Sequence, residues 1–253
     1  MVRSLLIRGM LVGAAAGLLA FFFAHHFGEP QVGHAIGFES YLAKLHHEPE
    51  GPEIVSRGAQ RTWGLLTGTL AMGTALGGLF ALAFAWAYGR VGAWGPRATA
   101  ALLALAAYLT IVIVPFTKYP ANPPTIGNPG TIGRRTVLYF LMIVISLAAA
   151  LAAGRIRRAL LPRLGAWNAA TVAVAAFAVL IVVAELLLPV VHETPKGFPA
   201  DVLYRFRLAS LGINATIWLT LGLGFGAAAE RLLSPAADRG GVQPAPASAS
   251  SQA

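Results

Sequence analysis

Long apolar runs alternate with short polar segments along nearly the whole chain. Six runs stand out: Leu5–Phe27, Trp63–Tyr88, Ala98–Phe116, Val137–Ala153, Ala166–Val191 and Leu208–Ala229. A helix needs roughly 17–25 apolar residues to cross a bilayer's hydrocarbon. Helices are also the only open-ended structures that cross lipid without leaving backbone groups unpaired. The pattern therefore predicts an all-α integral membrane protein with six transmembrane helices over residues 1–233. After Ser234 the pattern ends in PAADRGGVQPAPASASSQA. Residues 234–253 read as a disordered tail, since Pro, Ala, Ser and Gly offer almost nothing to bury.

Composition supports this reading. Of 253 residues, 57% are hydrophobic and 11% charged, against about 25% charged in a soluble domain. The chain carries a net charge of +9, but most arginines sit at the ends of apolar runs, where they anchor helices at lipid headgroups. That distribution argues for a lipid bilayer as the partner and against nucleic acid, which needs a clustered basic face. The first run has Arg3 and Arg8 at its start, then an uncharged stretch from Gly9 to Ala24, but lacks a small-x-small cleavage site, so it reads as an uncleaved helix.

The segment GRIRRALLPRLG carries four arginines and no acid between the fourth and fifth runs. Short loops of this kind set orientation, which places it, both termini and the Arg90/Arg97 loop in the cytoplasm. The outer side then holds residues 28–62, 117–136 and 192–207. KYPA (Lys118–Ala121) and KGFPA (Lys196–Ala200) give two of these loops a shared look, and arginines follow each. The arrangement reads as three helical hairpins, a weak internal repeat of the kind transporters carry.

Gly9, Gly13 and Gly17 are each four residues apart, as are Gly64 and Gly68, Gly73 and Gly77, and Gly222 and Gly226. Small residues at that interval let helix backbones approach closely. They predict a tight bundle or a partner's helix, and they are compatible with a homo-oligomer.

The outer side also collects the candidate chemistry. His25, His26 and Glu29 share one face if the first helix continues to Pro30. His34, Glu39, His46, His47, Glu48, Glu50 and Glu53 follow in the first outer loop, and His192 and Glu193 open the third. Imidazole and carboxylate suit divalent Co, Ni, Zn and Fe without choosing among them. Solvated loop residues would give the same pattern, and no HExxH pair is present. Glu185 lies inside the fifth run, where a carboxylate needs a partner or a water path. Its candidates are His192, His25, His26 or an outer arginine. Asn214 suits a helix–helix hydrogen bond.

With no cysteine, disulfides, thiolate metal sites and catalytic thiols are excluded. No GxSxG, phosphate loop or dinucleotide fingerprint occurs, so the chain reads as a non-enzyme with no tightly bound cofactor and no ATP site of its own.

Four blocks carry a resemblance: GLLAFFFAHHFGEPQVGHAIGFE, EIVSRGAQRTWGLLTG, YPANPPTIGNPGTIGRR and ELLLPVVHETPKGFPADVLYRFRLAS. In this order they resemble the signature blocks of the CbtA family of predicted cobalt transporter subunits. The resemblance implies a multi-pass protein of the bacterial cytoplasmic (inner) membrane that takes up Co²⁺ for cobalamin synthesis. It also implies a small single-span CbtB-like partner with a histidine-rich end. His46 and His47 lie in a less family-like stretch, which favours His25, Glu29, Glu185 and His192. The expectation is a divalent-cation uptake subunit whose first and fifth spans lie side by side. The alternative is a non-transporting scaffold that holds partner helices on its glycine faces.

Overall fold

A computed structural model of the chain describes residues 1–47, 55–124, 126–191 and 193–233. Among these residues there is no strand, and five helices are long and apolar enough to cross a membrane: α1 (Val2–His46), α2 (Arg57–Ala87), α3 (Pro96–Lys118), α4 (Pro129–Leu187) and α5 (Ala200–Leu233). Four of them widen for one turn into π-helix, at Ala24–Gly28, Gln60–Gly64, Tyr108–Ile113 and Leu221–Phe225. Such single-turn insertions shift the hydrogen-bond register and re-aim the side chains that follow.

α4 accounts for the difference between six apolar runs and five helices. GRIRRALLPRLG is not a loop: the helix runs through it and breaks only at Gly165, with φ 73° and ψ 172°. A positive φ with extended ψ is open to glycine and closed to residues with a Cβ. Met142 and Ala149 precede this break, Ile181 and Ala184 follow it, and all four share one apolar cluster with Val114. An unbroken helix would hold Met142 and Ile181 roughly 58 Å apart, at 1.5 Å per residue. The two arms of α4 therefore fold back on each other. The second arm stops at Leu187, short of the Val191 expected, because Pro189 drives Leu188 into extended backbone (ψ 143°).

The first outer loop is also largely helix. α1 continues through His46, and His47 ends it in the left-handed conformation (φ 54°). At 45 residues α1 is roughly 68 Å long, far more than the ~30 Å of hydrocarbon in a bilayer. Ala35 and Phe38 on the extension pack on Ile126, Phe198 and Val202, and the Phe38 and Phe198 rings meet edge to face at 5.2 Å.

The main core joins α1, α2, α3 and α5. Phe84 and Phe225 are fully buried, and Phe225 meets Phe80 and Phe84 edge-on at 5.4 and 5.1 Å. The glycines set the helix spacing. A Cβ on Gly13 would strike the Gly73 carbonyl oxygen and lie 2.9 Å from Gly77 Cα, and Gly9 and Gly17 abut the Gly77 and Thr69 carbonyls in the same way. Gly222 and Gly226 lie against Ala104 and Ala100 of α3. Gly64 meets only its own Ala59 carbonyl and Gly68 meets nothing within 4 Å, so this pair contributes no seam. α1 packs on α2 and α5, and the second arm of α4 packs on α3. The expected pairing of the first and fifth spans is thus replaced by pairings of the first with the second and sixth.

Contacts sort the molecule into two ends. At one, Arg8 Nη1 donates to Ala228 O (2.7 Å), Arg97 pairs with Glu230 (2.6 Å), and Arg158 reaches the Arg90 carbonyl (3.4 Å). The opposite, polar end carries His25, Glu29, Arg57, Lys118, Glu193 and Arg207.

A cation-lined cavity at the polar end

At the polar end Glu29, Glu185 and Glu193 are each held by different neighbours. Glu29, only 12% exposed, accepts from Arg57 Nη2 at 2.5 and 2.8 Å. His25 faces the Arg61 carbonyl at 3.1 Å. A carbonyl only accepts, so Nδ1 is the donor in this contact. His26, His34, Glu39, His46 and His47 are exposed.

Glu185 sits elsewhere. Its Oε1 is 2.5 Å from the Thr117 hydroxyl, which is shared with the Val114 carbonyl at 2.6 Å, and its backbone carbonyl accepts from Lys118 Nζ at 2.6 Å. Its side-chain partner is thus a hydroxyl on α3 rather than a histidine or arginine. Asn214 bonds the Ser210 carbonyl of its own helix (3.0 Å), not another helix. His192, Glu48, Glu50 and Glu53 lie outside the described residues. Among the described residues no three His, Asp or Glu side chains gather as a metal site. Among the described candidates, Glu29 is drawn to α2 and Glu185 to α3.

A cavity of about 850 Å³ opens at this end between α3, α4 and α5. Val112 and Phe116 line it from α3, Tyr139 and Phe140 from α4, and Ser210 and Asn214 from α5. Loop residues Tyr119, Asn122, Ile126, Val190 and Thr194 line it as well. Its charged lining is Lys118, Arg135, Arg207 and Glu193. Arg207 donates to the Asn122 side-chain oxygen (3.0 Å) and the Ala121 carbonyl (3.3 Å), which ties the first turns of α5 to the loop after α3. Tyr119 hydroxyl donates to the Pro189 carbonyl (2.8 Å), and burial raises the pKa of its phenol.

Glu193 braces the loop before α4. It accepts from Asn128 N–H at 2.9 Å, and Arg135 Nε lies 3.4 Å away. The Thr131 hydroxyl, the Asn128 amide and the neighbouring Arg135 and Arg134 hold its carboxyl below the usual carboxylate range. The Arg135 guanidinium lies against Gly127 (φ 121°), where a Cβ would collide with it.

Tyr119, Asn122, Ile126 and Arg135 of the YPANPPTIGNPGTIGRR block and Glu193, Arg207 and Ser210 of the ELLLPVVHETPKGFPADVLYRFRLAS block form part of the cavity's walls. A family model described as probable cobalt transporter subunit (CbtA) matches residues 2–230. The chain belongs to the CbtA family. No curated protein and no solved structure matches it. Family membership and the apolar helices agree on a membrane-embedded subunit of cobalt transport. Sequence reasoning treated Arg135 and Arg207 as headgroup anchors and left Lys118 and Asn122 without a role. Asn122, Arg135 and Arg207 lie inside the family-like blocks and Lys118 immediately precedes one, which was the signal that they share a site.

Proposed function

We propose that this CbtA-family chain is the membrane subunit of a cobalt uptake transporter in the bacterial cytoplasmic membrane. It crosses the bilayer six times as three hairpins, with α4 supplying two crossings that turn at Gly165 and both termini in the cytoplasm. The observation that carries the reading is the cavity of about 850 Å³ at the polar end, lined in part by family-like blocks and reaching down to Asn214 among the apolar helices. A cavity lined by polar groups within a helical bundle is where membrane transporters place substrate sites. The polar end faces outward, so His25, His26, Glu29, His34 and Glu193 meet the incoming Co²⁺ first. A single-span CbtB-like partner adds further imidazoles, and energy comes from an ion gradient, the membrane potential or another subunit. The scaffold alternative needs free glycine faces, whereas the chain's own helices fill those at Gly9, Gly13, Gly17, Gly222 and Gly226.

Radiolabelled Co²⁺ uptake tests the proposal in cells expressing the chain with and without its single-span partner. Uptake above the empty-vector level is expected with the pair. A level equal to background under every partner combination would remove the transport reading.

A further inference from the structure

The cavity's charge runs opposite to what a bare dication needs. Among the described residues its lining holds Lys118, Arg135 and Arg207 against the single carboxylate of Glu193. Arg134 adds to the positive field felt by Glu193 and Tyr119. Glu185, bonded to Thr117 at the rim, is the second carboxylate nearby. Among the described residues, four cations thus stand in or beside the cavity against two carboxylates. Lys118 and Arg207 are also held by neutral oxygens: the Glu185 carbonyl, the Ala121 carbonyl and the Asn122 amide. These contacts fix the side chains in place without cancelling their charge. Arg135 Nε is buried and makes no hydrogen bond, although Glu193 is 3.4 Å away. Partly buried charges of one sign gain from an oxyanion, and guanidinium groups suit carboxylate and phosphate geometry.

Size points the same way. Six coordinated waters occupy roughly 180 Å³ at about 30 Å³ each, so a hydrated cobalt ion leaves most of the space empty. A volume of about 850 Å³ is that of a small-molecule site. We propose that the cavity recognises a small ligand through carboxylate or phosphate oxygens, with Lys118, Arg135 and Arg207 as its contacts. The oxygens belong to a soluble chelator-like anion or to a lipid headgroup. The binding site stands independently of transport. Its consequence for cargo, that cobalt enters this cavity as an anionic chelate, rests on the function proposed above.

The test uses the full chain in nanodiscs and titration calorimetry. Citrate, inorganic phosphate and CoCl₂ are the separate probes, in discs of neutral lipid and of phosphatidylglycerol. In neutral discs citrate should bind, and Arg207→Gln or Lys118→Gln should weaken it at least tenfold. Arg207→Lys, which keeps the charge, should recover most of the affinity. Glu193→Gln should tighten binding several-fold, a gain that misfolding cannot produce. A soluble-anion site shows this pattern in neutral discs. A headgroup site instead shows phosphatidylglycerol retained by the wild type and released by Lys118→Gln, with no citrate binding. Both outcomes uphold oxyanion recognition. CoCl₂ binding that Glu193→Gln abolishes, with no charge dependence in either anion arm, would overturn it, as would no binding in any arm. Absent cobalt uptake in cells would leave these results untouched, so the two proposals fail separately.

Discussion

Gly13 offers the sharpest test of how the bundle is held. An added Cβ would press on the Gly73 carbonyl oxygen and lie 2.9 Å from Gly77 Cα and 3.0 Å from Gly73 C. Carbon atoms rest about 3.5–4.0 Å apart, so α1 and α2 must separate by roughly 1 Å. The obstructing atoms are all backbone and cannot rotate away. Overpacking of this kind costs about 1–3 kcal/mol, and the unyielding neighbours favour the upper half. Replacing glycine within a helix returns up to about 1 kcal/mol. Gly13→Ala should therefore lose about 2 kcal/mol net. Gly68→Ala makes the same chemical change on α2 where nothing lies within 4 Å, and it should be neutral or gain up to about 1 kcal/mol. The contrast of about 2–3 kcal/mol is a 30- to 150-fold difference in the folding equilibrium. Unfolding in mixed micelles by increasing SDS, followed by tryptophan fluorescence, reads it directly. Gly13→Ala combined with Gly73→Ala should cost less than the sum, because helices once parted accept the second methyl more cheaply. Equal stability of Gly13→Ala and Gly68→Ala would refute the claim that this seam sets the helix spacing.

Further outcomes follow from other contacts. Met142→Cys with Ile181→Cys, in a chain that has no native cysteine, should be joined by a short thiol crosslinker; no product would mean that α4 does not fold back at Gly165. Gly165→Ala should cost about 1–3 kcal/mol through its backbone conformation and reduce that crosslinking yield. Glu29→Gln should lose about 1–2 kcal/mol as a charge-assisted bond to Arg57 weakens, and a double-mutant cycle with Arg57→Gln should show coupling above about 0.5 kcal/mol. Because the Glu193 pKa is lowered in the folded chain, its contribution is present above the ordinary carboxylate range and is lost as pH falls through the lowered value. Protection of the Asn128 amide from hydrogen exchange should decline at acid pH in the wild type, and Glu193→Gln should remove that dependence.

The apolar runs alone determined the class of this protein. Lipid leaves a backbone one economical way to cross, so a run of sufficient length and apolarity specifies a helix whatever surrounds it. The glycine spacing likewise exposed the faces of α1 and α5 that meet other helices, because a four-residue interval places small residues in line without reference to the rest of the chain. The same spacing at Gly64 and Gly68 meets no helix, since which face turns inward depends on the neighbours available. Tertiary structure decided the pairing of spans, the helical extension to His46 and the turn at Gly165. It also decided the fate of each polar group: Glu29 went to Arg57, Glu185 to Thr117, and three cations from α3, α4 and α5 came to share one cavity. Spacing along a chain constrains only residues within a turn or two of one another. Lys118, Arg135 and Arg207 are far apart in sequence, and only the packing of their helices brings their charges into one space.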